Sequence, residues 1–265
     1  MWRAYVWEKM TLQELSARFE MSIPVIRSLL ARHQENTTHP YTLMTPQSVY
    51  LVIDAFYRSR GDGTIVFRSV THHKNLLWRD IKYETIADYV SGVQELISAG
   101  WIILGITIDG RKGTLEALSK YAPVQHCQFH QLQTVTKYLT KRPKLEPHIA
   151  LKRVSSILTK TDEPTFTRLL ERWFIRYGDL VKERTYHPGG GWSYTHGNLR
   201  SCYLSLKRNS PHIFTYLDYP GMPNTTNTLD GSISHLRTLH RIHRGMNLRL
   251  RRKVTEELLR GKSTK

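Results

Sequence analysis

The chain has 265 residues, 40% of them hydrophobic, and a formal net charge of +17. That length allows one large domain, or a core with a small appendage, and enough apolar residues to bury a real core. The charge exceeds what solubility needs and makes a polyanion the expected partner, nucleic acid before a membrane surface. Two cysteines, Cys127 and Cys202, imply no disulfide framework. No signal peptide is recognisable, and no apolar segment reaches the roughly 18 residues that span a bilayer, so a cytoplasmic location with no membrane partner is expected.

Residues 1–40 read as a helical, DNA-binding region. Thr11-Leu12-Gln13-Glu14 has the spacing of a capping box, so a helix is predicted from Leu12, with Leu12, Leu15 and Phe19 on its apolar face. Glu20-Met21-Ser22 breaks it, Ser22 can cap a second helix, and Pro24 is tolerated in that helix's first turn. Val25, Ile26, Leu29 and Leu30 are its expected buried side; Arg27, Ser28 and Arg32 are expected to point outward as DNA contacts. Helix, three-residue turn, helix resembles a helix-turn-helix, and an ordinary helical hairpin is the alternative.

A polar linker at 35–46 precedes residues 47–140, which read as the first part of the core. Val49–Asp54, VYLVID, is an apolar run that ends in a carboxylate. Thr64–Val70 and Leu76–Lys82 read as a hairpin of further strands. Glu84–Ala99 carries Ile86, Val90, Val93 and Ile97 at helical spacing, and Gly100 ends it. Trp101–Gly110, WIILGITIDG, is a second apolar run, read as a strand buried on both faces, and it too ends in an acid, Asp109. Asp109 can be a metal ligand at a strand's carboxyl end or an N-cap for the helix after Gly110-Arg111-Lys112-Gly113. Leu115–Tyr121 and Gln131–Leu139 read as helices around a strand at Val124–Phe129. The order β-β-β-α-β-α-β-α is that of a ribonuclease-H-like mixed α/β sheet, in which the first and fourth strands are neighbours. Two acids so placed suit a hard divalent cation, which takes oxygen ligands.

Residues 141–216 read as a mostly helical insertion, with helices at Ile149–Leu158 and Thr165–Tyr177 and the Gly-rich stretch His187–Trp192, HPGGGW. Its glycines are either a flexible turn or a place where backbone amides approach a phosphate. Residues 217–265 hold NTTNTLDG and then a helix to about Arg244, with Ile233, Leu236, Leu239 and Ile242 inward and Gly245 as its stop. Asp230 falls near its first turn, among Arg237, Arg241 and Arg244. A basic helix that begins with an acid suits a place where DNA phosphate meets metal. The tail residues Arg249, Arg251, Arg252, Lys253 and Arg260 form a phosphate-binding face or are simply solvated.

LVIDAFYR with Asp54, GITIDGRKG with Asp109, the pair Cys127 and His130, and PNTTNTLDGSISHLRTLHRIHRGM with Asp230 together resemble the Mutator-like bacterial insertion-sequence transposases. The resemblance covers nearly the whole chain. It implies an acidic catalytic triad of Asp54, Asp109 and Asp230 holding two Mg²⁺ (or Mn²⁺) ions, double-stranded DNA as partner (element ends and target), a homo-oligomer on that DNA, and a bacterial, nucleoid-associated location. It further implies that Cys127 and His130 support the active site, with His130 at a strand end against a phosphate or a carboxylate, and that Asn227 orients Asp230 or contacts DNA. Arg111 and Lys112 join the expected DNA contacts. The family's third acid is usually Glu, and here it is Asp230, one methylene shorter; Glu256 and Glu257 are the rival third ligands. The family's cysteine-rich zinc segment has no counterpart, and no structural zinc is expected. Two other activities fit the same residues: a nuclease of this fold that cuts without joining, and a catalytically decayed DNA-binding repressor.

Overall fold

The apolar runs pair into a five-stranded mixed sheet of order β3-β2-β1-β4-β5. Its strands are β1 (Ser48–Ser59), β2 (Asp62–Ser69), β3 (Lys74–Ile81), β4 (Ile102–Ile108) and β5 (Val124–His126). The first and fourth strands are neighbours, as the element order predicts; β2 pairs antiparallel with β3, and β4 pairs parallel with β5. In this computed structural model residues 1–34, 38–110 and 113–261 are described, apart from the side chains of Asp230 and Ser232. Arg111, Lys112 and positions 35–37 of the expected linker lie outside the described residues. Among the described residues no helix is long and apolar enough to cross a membrane.

The chain divides into two units. The first comprises residues 1–47, 54–102 and 227–265. It opens with helices α1 (Trp2–Val6), α2 (Leu12–Phe19) and α3 (Ile23–Arg32). The capping box of α2 is complete: Glu14 N–H donates to Thr11 Oγ1 and Thr11 N–H donates back to Glu14 Oε2. Pro24 lies in the first turn of α3 as expected, but Ser22 makes no side-chain capping bond. The buried side of α3 is narrower than its sequence suggests. Ile26 and Leu30 are buried, whereas Val25 and Leu29 are exposed, because two residues one turn apart are enough to meet the single buried Leu15 of α2.

β1 continues five residues beyond Asp54, to Ser59, so that acid is interior to the strand rather than at its end. Residues 54–59 lead directly into the β2 strand through the turn at Gly61, whose φ is 73°. Helix α4 (Ile86–Ser98) starts at a capping box of Thr85 and Asp88. Its inward face is Tyr89, Gly92, Val93 and Leu96; Ile86 and Ile97, expected inside, are exposed. The cause is Gly92. The fully buried Phe67 ring of β2 lies against the helix backbone there, and a Cβ at 92 would stand 2.0 Å from Phe67 Cζ. Gly92→Ala is therefore expected to destabilise by about 1–3 kcal/mol through overpacking, despite the roughly 1 kcal/mol that Ala gains in helix propensity. Urea melts should show the loss, and Phe67→Leu added to Gly92→Ala should recover part of it.

Helices α10 (Asn227–Ile242) and α11 (Leu248–Arg260) complete this unit. Leu229, Ile233, Leu236 and Leu239 are buried and Ile242 is exposed, which moves the inward stripe of α10 one turn toward its start. Gly245, with φ 97°, turns the chain into α11. The basic tail is this helix, and two of its cations are engaged within the protein. Lys253 is buried and donates to the carbonyls of Ala31 (3.0 Å) and His33 (2.7 Å), groups left open at the end of α3. Arg252 pairs with Asp62 at 3.5 Å and with Asp80 at 3.2 Å.

The second unit comprises residues 48–53 and 103–226. β4 is buried on both faces only from Gly105 to Ile108; Ile102 and Leu104 are exposed, so its first half alternates. Helix α5 (Thr114–Leu118) follows. β5 stops at His126, three residues before the expected end, and α6 (Gln128–Leu139) begins three residues earlier than expected. The insertion folds as α7 (Glu146–Ser156), α8 (Glu163–Lys182), a hairpin of β6 (Arg184–Tyr186) and β7 (Trp192–Tyr194), and α9 (Gly197–Ile213). It has its own core with α6: Val135, Leu139, Leu151, Phe166, Leu170, Trp173, Leu199, Tyr203 and Leu206 pack together. Trp173 satisfies its indole N–H on the Pro147 carbonyl at 2.9 Å. Neither the hairpin strands nor α9 is among the elements expected from the sequence, in which only His187–Trp192 stands out as a Gly-rich stretch.

Candidate active site

Asp54 is half-buried within β1, and its Oδ1 accepts the Ala55 N–H at 2.8 Å. Asp109 follows the last residue of β4 and is also half-buried. It does not cap the next helix: the cap position of α5 is Gly113, with φ 81°. The strand mouth around Asp109 is shaped by His126 of β5. A Cβ on Gly110 would lie 2.2 Å from His126 Cε1 and Nε2, so only glycine lets the chain pass the ring.

His126 is buried, and among the described residues its Nδ1 has no hydrogen-bond partner. Burial pushes its pKa down to about 4; Asp109 pulls it up, and the charges of His130, His212 and Arg208 push it further down. The imidazole beside Asp109 is therefore neutral at physiological pH.

Cys127 and His130 are not at a strand end. Cys127 occupies the cap position of α6 and His130 its first turn. The Cys127 sulfur accepts the Thr226 N–H at 3.3 Å and lies 3.5 Å from Thr226 Oγ1. Burial pushes the thiol up, but hydrogen bonds from the side chain and backbone of His130 and from Thr226 outweigh it and leave the pKa below its ordinary value. Next to it, Gln128 N–H donates to Asn224 O at 2.9 Å, and Asn224 Nδ2 donates to Gln128 Oε1 at 2.9 Å. From β4, Thr107 Oγ1 donates to Pro223 O at 2.6 Å. These bonds fasten residues 223–226, the segment that runs straight into α10. Cys127 thus takes part in holding residues 223–226 in place.

Asp230 is the fourth residue of α10, and its side chain lies outside the described residues. The helix begins at Asn227, which is exposed, so the cap position belongs to Thr226 and not to Asp230. Among the described residues no group of three His, Cys, Asp or Glu side chains is placed to hold a metal ion. The rival acid Glu257 is engaged elsewhere, its Oε1 accepting the Trp7 indole N–H at 3.1 Å.

Of the expected DNA contacts, Arg27, Arg32, Arg237, Arg241 and Arg244 are exposed and Ser28 is half-buried. Arg27 and Arg244 line one cavity of about 460 Å³, together with Leu30 and the buried His243.

Sequence reasoning missed His126, Gln128, Thr107 and Thr226. The available signal was polarity out of place: Gln125 and His126 are buried polar residues in a strand next to the sheet's most apolar one. Gln125 is satisfied, donating from Nε2 to Ile213 O at 2.6 Å and accepting the Tyr216 N–H at 2.9 Å.

No protein-family model matches the sequence, and comparison with curated proteins finds no relative. Among solved structures the chain is similar to the Drosophila P element transposase strand transfer complex. That similarity has 10% sequence identity and a TM-score of 0.41, and covers 99% of this chain and 91% of the other.

Proposed function

We propose that this chain is a DNA transposase with a ribonuclease-H-like core, of the Mutator-like insertion-sequence group, and that Asp54, Asp109 and Asp230 hold the divalent cations its chemistry needs. The observation that carries the reading is the pair of neighbouring strands, β1 containing Asp54 and β4 running into Asp109, in a chain of net charge +17. Carboxylate oxygens suit Mg²⁺ or Mn²⁺. When bound, such ions lower the pKa of an attacking water and stabilise a leaving 3′ oxygen. The protein's own share is positional. Thr107, Cys127 and Gln128 anchor the segment before α10, neutral His126 fixes the backbone after Asp109, and exposed arginines of α3 and α10 hold phosphates. Binding two element ends implies at least a dimer.

The test is incubation with labelled duplex taken from the DNA flanking the reading frame. Metal-dependent nicking at one position, followed by joining of the freed 3′ end to target DNA, is expected. Nicking without joining selects the nuclease reading, and binding with no cleavage in Mg²⁺ or Mn²⁺ selects the repressor.

DNA affinity is expected to be salt-sensitive, with log affinity falling against log salt by about 0.9 per phosphate neutralised. A constant unchanged between low and physiological salt refutes the phosphate contacts. The helix-turn-helix is best tested by Arg27→Ala and Arg32→Ala, because removing the N-terminal helices strips Lys253 of its Ala31 and His33 partners. Loss of preference for element ends, with unchanged melting, is the expected result.

A further inference from the structure

The β6–β7 hairpin places Arg184 opposite Tyr194, Thr185 opposite Ser193, and Tyr186 opposite Trp192. Directly opposed residues of an antiparallel pair share a face, and alternate residues along a strand do too. One face of this ribbon therefore carries Arg184, Tyr186, Trp192 and Tyr194. The other carries polar groups bonded to one another: Thr185 Oγ1 bonds Thr195 Oγ1 at 2.8 Å, and His187 Nε2 meets Ser193 Oγ at 3.1 Å.

An isolated two-stranded ribbon is marginal in water, and aromatic residues usually stabilise one by being covered. Here the rings at the tip are only partly covered. Tyr186 is 73% exposed and Trp192 45%, at the end of the ribbon next to the Gly189–Gly191 turn. The other end is tied down. Arg200 of α9 stacks over Tyr194 at 3.9 Å and donates to the Val181 carbonyl at 3.1 Å. Between the two ends, Arg184 lies over Trp192 at 4.0 Å and over Tyr194 at 5.9 Å. The result is a tip with exposed ring surface and the Arg184 cation beside it, on a ribbon fastened at its other end. Bases present flat π-faces and phosphates present charge, so this combination matches an unpaired strand rather than a duplex, whose bases stack on one another.

We propose that the Arg184, Tyr186, Trp192 face of the hairpin binds single-stranded DNA by stacking unpaired bases on Tyr186 and Trp192 while Arg184 meets the backbone. The choice of DNA rests on the transposase reading above; the stacking itself does not.

The test uses the full chain in EDTA, so that no cleavage is involved, titrated with a short oligothymidylate and with a duplex of the same length. Stacking should quench tryptophan fluorescence with the single strand, and Trp192→Phe should remove most of that quenching. Trp192→Ala and Tyr186→Ala should each weaken single-strand binding by about 5- to 150-fold and duplex binding by less than about twofold. Trp192→Phe, which keeps a ring, should bind nearly as wild type. Unchanged single-strand affinity in both alanine variants overturns the proposal. So does an equal loss for duplex and single strand, which would make the hairpin a groove or phosphate binder. Tighter binding of oligouridylate than of oligothymidylate overturns the assignment to DNA. Absence of metal-dependent cleavage with the stacking intact would sink the transposase reading alone.

Discussion

Asp230→Asn should lose at least about a hundredfold in metal-dependent cleavage, because a cation at a phosphoryl centre supplies several kcal/mol of transition-state stabilisation and each 1.36 kcal/mol is a factor of ten. The substitution keeps the shape of the side chain and removes the charge that holds the cation. Asp230 is the fourth residue of α10, near the positive end of the helix dipole, so a purely structural acid there would cost only about 0.3–1 kcal/mol of stability on neutralisation. Cleavage, duplex binding and thermal melting measured on one preparation separate the two roles. The expected pattern is lost cleavage with binding and melting nearly intact. Asp230→Ala should behave like Asp230→Asn. Asp230→Glu restores the acid usual in the resembled family and should keep activity if the first turn of α10 tolerates one more methylene. Full cleavage by the Asn variant would falsify the triad and shift attention to Glu256. Glu257 is the weaker rival, since Glu257→Gln should disturb its bond to Trp7 and hence melting rather than cutting.

Arg58→Ala should be strongly destabilising, by about 3–5 kcal/mol, since it takes from the buried Asp62 carboxylate its main partner and leaves it only the longer contact to Arg252. The Arg58 side chain is 1% exposed. Its guanidinium donates to Asp62 at 2.7 and 3.0 Å, to Asp80 at 2.8 Å and to Thr64 Oγ1 at 2.6 Å. Thr64 in turn donates to Asp80, and Arg252 joins from α11, so one residue joins three strands to a terminal helix. Arg58→Met, which keeps the stem and loses the charge, should cost nearly as much. The pH dependence has a definite sign. The Arg58 hydrogen bonds hold the Asp62 carboxyl below its ordinary 3.8 against the upward push of burial, with the Arg58 and Arg252 charges adding to the lowering. A depressed carboxylate contributes stability that is complete above its unfolded pKa and is lost as pH falls through the folded value. Denaturant melts of the wild type should therefore weaken below about pH 4, and the Arg58→Ala variant should show a smaller acid loss.

Local pattern in the sequence determined the elements themselves. The capping box at Thr11, the break at Glu20–Ser22, the helix at 86–98, the apolar run into Asp109 and the helix carrying Asp230 each rest on interactions within a few residues, and each is where its pattern predicts. The order of those elements was also enough to make β1 and β4 neighbours. What tertiary structure alone decided is which side of each element is covered and which polar groups find partners. Gly92 rotates the inward face of α4 because a ring from β2 needs the space, and no periodicity within 86–98 contains that ring. Lys253 and Arg252 read as tail charges until α3 and the Asp62–Asp80 pair are brought to them. Asp62 draws no reading from the sequence, because one of its cations lies on the strand before it and the other 190 positions away. Cys127 and His130 invite a metal reading by spacing, yet the sulfur is spent on Thr226, 99 residues on. The physical reason is the same throughout. Backbone geometry is set by near neighbours, whereas desolvation and hydrogen-bond satisfaction depend on whichever distant segment occupies the space.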